Sequence, residues 1–329
     1  MQNLIVRAAI IAGALSIFSA SAAAAAPRYS VVVLPAPSGY PGCYATVVNN
    51  RGQAAGECFN SGGTLYRAVE WTNGTAHVLF VPHSMSTRWT WAASINDSGD
   101  VVGYAQPPGG YQAMSWHHGK LTLLPSLPGT SGTVADDIRD DDLIIGSSGG
   151  HSVEWTTNGM VDLGGYAAFA SSVNAKGAFV GSGQISPDDP QGGAWFDAGM
   201  PGEMHYIIHG DFHTHAFGVN DSDLVVGDTN GLAGFRAWAF QGGSLRFLPS
   251  AYVAGYDHAF AVNDDDVIVG ESLNWAVRWY HGAVVDLNTT IPLLALRLTA
   301  ANGISPKGLI ACTAIGPSAP FGVILYPKP

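Results

Sequence analysis

The stretch Ala92-Ala93-Ser94-Ile95-Asn96-Asp97-Ser98-Gly99-Asp100-Val101-Val102-Gly103-Tyr104-Ala105 holds the unit from which the chain is built. Small and apolar residues run into Asn96, a tight turn falls at Gly99, and an apolar triplet follows, which is the pattern of a β-hairpin. Seven copies begin at Ala45, Ala92, Ala135, Ala170, Ala216, Ala259 and Ala301. Their turn residues are Gly52, Gly99, Asp142, Gly177, Asp223, Asp266 and Gly308, separated by 47, 43, 35, 46, 43 and 42 residues. The mean step of about 43 lies inside the blade period of a four-stranded β-propeller.

Each period holds the four strands a blade requires. In the second copy they fall at 92–96, 101–105, 113–116 and 121–124, before a Pro-Gly loop, and no helical stripe competes with them. Third strands end in Trp71, Trp116, Trp155, Phe196, Phe240 and Trp279, large residues expected to fill the space between blades. The last copy supplies only three strands, whereas residues 30–35 match the fourth-strand pattern of 120–125 and 244–249. Pairing the two ends closes a ring. The expected fold class is therefore all-β: one seven-bladed β-propeller domain over 27–329, its last blade closed by the N-terminal strand. An open solenoid of the same repeat would leave bare sheet edges and would not need the offset.

Of the 329 residues, 12% are charged and 42 are Gly, which argues against disorder and coiled coil and for a turn-rich globular chain. With a net charge of −11 and four scattered lysines (Lys120, Lys176, Lys307, Lys328), it has no basic face for nucleic acid or for an anionic membrane. Residues 1–26 carry Arg7, then an apolar run over 8–18, then small residues at 22–26 before Pro27. They read as a secretory signal peptide, so the mature protein is expected to be a secreted or periplasmic monomer, not inserted in a membrane after cleavage.

Three pieces of the chain resemble the HAF-type extracellular repeat family: Ile95-Asn96-Asp97-Ser98-Gly99-Asp100-Val101-Val102-Gly103, His151-Ser152-Val153-Glu154-Trp155, and Gly159-Met160-Val161-Asp162-Leu163-Gly164-Gly165. The third-strand His of that pattern is usually replaced, as at Arg67 and Gln112, and a His-Ala-Phe triplet stands in the first strand at His215 and His258 instead. The resemblance implies propeller-like repeats and export. It implies no defined activity and no catalytic residue.

Ligands of propellers usually bind at the mouth of the central channel, on loops entering the innermost strands. The residue before each repeat Ala should ring that mouth: Tyr44, Trp91, Val134, Phe169, His215, His258 and Ala300. If the repeat Asn faces the turn Gly or Asp, Tyr44 pairs with Glu57, Trp91 with Tyr104, His215 with Asp228, and His258 with Glu271. A one-residue bulge would undo this register. Two imidazole-carboxylate pairs on adjacent blades suit a general base, with His215, Asp228, His258 and Glu271 as catalytic candidates. The same four residues, with Asp211, His213 or Asp257 beside them, suit a divalent metal as the one cofactor in view. They equally suit plain cross-strand pairing. Tyr44, Glu57, Trp91 and Tyr104 are the ligand-binding candidates, since aromatic faces stack on sugars.

The acidic runs Asp140-Asp141-Asp142 and Asp264-Asp265-Asp266 lack the Gly and distant Glu of an EF-hand, and we read them as turns rather than Ca²⁺ sites, on the face opposite the His pairs. No nucleophile elbow, phosphate-binding loop or zinc signature occurs. Cys43 and Cys58 fall opposite each other in the same register and are expected to form a disulfide, while Cys312 occupies a position held by Gly in the six other repeats. The leading reading is a non-catalytic exported propeller that binds a glycan or protein at the channel mouth. A secreted, polysaccharide-active hydrolase or lyase, with or without a metal, and a structural cell-envelope module are the alternatives.

Overall fold

Each repeat folds into a four-stranded antiparallel meander, and seven such sheets stand around one channel. The computed structural model describes residues 29–328 apart from 166–167, 187, 189–192, 198–203, 210–212, 232–233, 254 and 293–295. The signal-peptide reading of 1–26 lies outside the described residues. Six blades take their strands in chain order. The seventh is ordered Tyr29–Val33, Pro320–Pro327, Ile310–Ile315, Arg297–Ile304, so the N-terminal strand supplies its outer edge. Val33 faces Val323 and Tyr29 faces Pro327, which closes the ring as the offset of the repeats requires.

Small residues make the innermost strands close-packable. The repeat alanines Ala45, Ala92, Ala135, Ala170, Ala216, Ala259 and Ala301 are all fully buried. Opposite six of them sits a glycine that no other residue can replace. A Cβ on Gly56, Gly103, Gly146, Gly181, Gly227 or Gly270 would lie 1.9–2.1 Å from the carbonyl oxygen of Tyr44, Trp91, Val134, Phe169, His215 or His258. The cause is a β-bulge one residue past each alanine, which turns that carbonyl toward the neighbouring strand. In blade seven a second irregularity between Leu298 and Ala300 accompanies Cys312 at this position. Its thiol is fully buried, and burial pushes its pKa up, so it is a packing residue.

Large aromatics join blade to blade, with one departure from expectation. The indole N–H groups of Trp71, Trp116, Trp155 and Trp279 donate to the carbonyls of Pro35, Phe80, Pro125 and Pro249, at 2.8, 2.9, 2.9 and 2.7 Å, in the segment leaving the previous blade. Phe196 and Phe240 do not play this part, being only partly buried. Trp195 and Trp238 fill blades four and five instead, opposite Gly181 and Gly227 and fully buried, because the missing Cβ there leaves room for an indole.

On the turn face the repeat Asn closes its own hairpin and reaches the next blade. Asn220 Oδ1 accepts the N–H of Ser222 and Leu224 at 3.0 and 2.9 Å, and its Nδ2 donates to Asn263 O and Asp266 Oδ1 at 2.9 and 2.8 Å. Asn49 reaches Asn96 O at 2.8 Å, Asn96 reaches Arg139 O at 3.3 Å, and Asn174 reaches Asn220 O at 2.9 Å. Blade three has Arg139 in place of Asn, and Asp137 takes over. It accepts from Ser94 Oγ of blade two at 2.7 Å and from Ser172 Oγ and Val173 N of blade four at 3.2 and 3.0 Å. The acidic turns are structural, as read from the sequence. Asp140 and Asp264 accept the N–H of Asp97 and Asp221 at 2.7 and 3.0 Å, and Asp142 and Asp266 hold the left-handed turn conformation at φ 65° and 59°.

Cys43 and Cys58 are disulfide-bonded across the first hairpin of blade one.

Removing one Asn amide strands several buried partners at once. Asn220→Ala is expected to destabilise the protein by about 2–4 kcal/mol, read from the denaturation midpoint, whereas Asn158→Ala on an exposed turn changes it by less than about 0.5 kcal/mol.

Candidate functional site

The mouth register is as expected, though by a different route. At the turn end Asn49 pairs with Gln53 rather than Gly52, one residue off the expectation, and the bulge at Thr46 restores it. Tyr44 therefore faces Glu57, Trp91 faces Tyr104, His215 faces Asp228, and His258 faces Glu271. The bulge does not undo the register, because it cancels the first offset.

The bulge has a second effect. It turns one extra residue per blade into the lumen, so Thr46, Ala93, Asp136, Ser171, Phe217 and Phe260 line a central cavity of about 1100 Å³. Tyr44, Glu57, Trp91 and Thr313 line the same cavity toward the mouth. His215, Asp228, His258 and Glu271 do not line it. His215 stacks on Phe217 at 5.4 Å and His258 on Phe260 at 5.8 Å, and these phenylalanines are the ones that face the lumen.

The two imidazoles share one carboxylate. Asp228, with 2% of its side chain exposed, accepts from His215 Nδ1 at 3.0 Å and from His258 Nδ1 of the next blade. Glu271 stands 3.9 Å from His258 Nε2, so the nearer carboxylate of His258 is Asp228, not its cross-strand partner. Burial opposes ionisation of Asp228, but the hydrogen bonds and charges of His215 and His258 prevail and hold it below the usual carboxylate range. Burial likewise pulls His258 down, while the hydrogen bond and charge of Asp228, then Glu271 and Asp257, lift it above ordinary imidazole. Glu271 is raised by burial, against the pull of His258.

This is an ion-paired cluster more than a ligand sphere. Among the described residues no three His, Cys, Asp or Glu side chains converge on a point that could hold a metal ion, because both Nδ1 atoms are turned onto Asp228. Asp211, named with them, lies outside the described residues.

Blades one to three carry the opposite situation. Glu57 is 8% exposed and has no hydrogen bond or ion pair among the described residues, and burial alone pushes its carboxyl up to about 7. Asp136, which sequence reading missed, lines the same cavity half-buried, and burial and then neighbouring Asp137 push its carboxyl up to about 7. The Tyr104 hydroxyl is pushed up to about 12 by burial first, then by Asp136, Tyr111 and Glu57, and its ring meets that of Tyr111 edge-on at 5.5 Å. The available signal for Asp136 was its position one residue past the repeat Ala, where the other blades carry Thr, Ala, Ser, Phe, Phe and Asn.

Below pH 4 the Glu57 carboxyl is neutral in folded and unfolded chains alike. Between about 4.5 and 7 the unfolded chain releases a proton that the folded chain retains, so stability falls as pH rises, by about 3 kcal/mol at pH 8. Glu57→Gln is expected to remove this loss: its melting temperature exceeds the parent's at pH 8 and equals it at pH 4, by calorimetry.

No protein-family model matches the chain, and no curated protein matches it either. Solved structures do. Selenomethionine-substituted virginiamycin B lyase from Staphylococcus aureus is similar with a TM-score of 0.54 at 10% identity, over 91% of this chain and 99% of that one. U3-55K gives 0.52 at 13%, over 91% and 98%, and a chain of the mitotic checkpoint complex gives 0.52 at 12%, over 89% and 93%. At such identities the likeness extends to the fold alone: this chain is a seven-bladed β-propeller, assigned to no family.

Proposed function

We propose that this protein is an exported, non-catalytic propeller that binds a glycan at the channel mouth over blades one to three. The observation that carries the reading is the half-buried pair Tyr44 and Trp91 beside the unpartnered Glu57, at the upper end of a cavity large enough for a small ligand. Aromatic faces take the C–H side of a sugar ring, and a carboxylate takes its hydroxyls. The aromatic surface continues outward. Tyr44, Phe59, Tyr66 and Trp89 follow one another at centroid spacings of 5.5, 5.4 and 5.3 Å, and Trp89 is 53% exposed. Such an array suits successive units of a chain-like ligand. Export is supported by the reading of residues 1–26, by the HAF-type repeat resemblance, and by the Cys43–Cys58 disulfide, a bond of oxidising compartments.

The rival is a hydrolase or lyase built on His215/Asp228 and His258/Glu271, favoured by one observation: Asp228 orients both imidazoles through Nδ1 and leaves each Nε2 turned away from it. The two readings part on single substitutions. With a glycan found by array screening, Trp91→Ala is expected to weaken binding tenfold or more by calorimetry, while His258→Ala leaves it within twofold. Turnover of a bound polysaccharide that disappears in His258→Ala would overturn the binding reading in favour of the enzyme.

A further inference from the structure

The mouth pairs of blades one to six fall into three groups. Blades one and two carry Tyr44/Glu57 and Trp91/Tyr104, with Tyr44, Glu57 and Trp91 on the central cavity. Blades five and six carry the imidazole cluster around Asp228. Blades three and four present Val134 opposite Ser147 and Phe169 opposite Ser182, and no role has yet fallen to them. Val134, Ser147 and Phe169 line a second cavity, of about 470 Å³, which shares no lining residue with the central one.

This second cavity has the makings of a site. Tyr111 and Phe169 bring two large rings to it, 45% and 49% exposed, and Gly129, Gly132, Gly149 and Gly150 leave its backbone bare of side chains. Its parts are tied together: Thr133 N donates to Tyr111 O at 2.9 Å, which joins the Tyr111 loop of blade two to blade three, and Gly149 N donates to Gly132 O at 3.0 Å. Ser147 is only 4% exposed, yet its hydroxyl has no hydrogen bond among the described residues. The neighbouring Thr130 hydroxyl is held by Leu127 O and Ser148 Oγ at 2.9 and 3.1 Å. A buried polar group is normally paired, so Ser147 has capacity left for a ligand. No Asp, Glu, Lys, Arg or His lines the cavity among the described residues, and an ionised group would lose its water there without a counter-charge. An aromatic path leads from it to the channel. Trp91 is the cross-strand partner of Tyr104, the Tyr104 ring meets Tyr111 edge-on at 5.5 Å, and Tyr111 lines the second cavity.

We propose that this cavity takes one uncharged sugar unit of the ligand, against the rings of Tyr111 and Phe169 and with a hydroxyl on Ser147 Oγ, so that a linear glycan lies across the mouth from blade one to blade four. This rests on the glycan reading and deepens it: the ligand is a chain bound along its length, uncharged at the unit over blades three and four. A sugar ring meets both demands of the cavity, since its C–H face packs on aromatic rings while its hydroxyls pair with Ser147 and with bare peptide groups.

The test is calorimetry on the purified protein with disaccharide and hexasaccharide fragments of cellulose, xylan, mannan and chitin, and with a pectate hexasaccharide as the charged comparison. For the sugar that binds, the hexasaccharide is expected to bind about tenfold tighter or more than the disaccharide, because one molecule engages both subsites. Tyr111→Ala and Phe169→Ala should each remove most of that gain and leave disaccharide affinity within about twofold. Both side chains are exposed, and circular dichroism checks the fold. A gain that survives these two substitutions, or that falls only with Trp89→Ala on the other side of the mouth, would overturn the second subsite and leave the glycan reading standing. Equal affinity for the two lengths would do the same, in a comparison that needs only the parent chain. Pectate binding tighter than every neutral hexasaccharide would overturn the uncharged subsite. Binding of no fragment at all would overturn the glycan reading and this proposal with it.

Discussion

One side chain, the amide of the repeat Asn, works in two directions, and the ring depends on it. Its oxygen closes a turn within its own hairpin, and its nitrogen reaches the backbone carbonyl of the next blade. These amides are nearly fully buried, so each hydrogen bond is made where an unmade one costs most. Where the residue changes, the structure shows the consequence. Arg139 cannot make the bond, and Asp137 bridges three blades in its place. After Asn263 comes Ser305, and the Asn263 Nδ2 finds no partner among the described residues; blade seven joins blade one through Lys307 N, which donates to Asn50 Oδ1 at 2.9 Å, and Asn302 Nδ2, which donates to Ala45 O at 2.7 Å.

The bulge past each repeat Ala links that scaffold to a functional lumen. In six blades it forces glycine onto the second strand, since the displaced carbonyl occupies the space of a Cβ. It also aims a seventh of the ring inward from each blade, and those residues differ in kind from blade to blade. The framework thus repeats while the lumen varies. Asp136 is a product of this: a carboxyl carried inward by a bulge, in a strand whose neighbours satisfy everything else.

The mouth has two chemically distinct halves. On blades five and six the carboxylate of Asp228 is paired twice over, and its two imidazoles stack on Phe217 and Phe260. That half is internally neutralised. On blades one to three Glu57 and Asp136 have no hydrogen bond or ion pair among the described residues, and burial raises both carboxyls, that of Asp136 with the help of Asp137.

The seven copies, their 43-residue step, the offset of the termini, the Cys43–Cys58 pairing and the pairs at the mouth were all legible in the sequence, because strand alternation and turn chemistry are local and a repeat shows them seven times. Local pattern could not show which indole fills a blade, as Phe196 and Trp195 are neighbours in sequence and only the register separates them. Nor could it show that His258 meets Asp228 of the adjacent blade more closely than its own Glu271, or that Asp136 faces the lumen. Those contacts join residues on different sheets. They depend on how a bulge rotates one side chain and on how seven sheets close around a common axis, and no spacing along the chain records either.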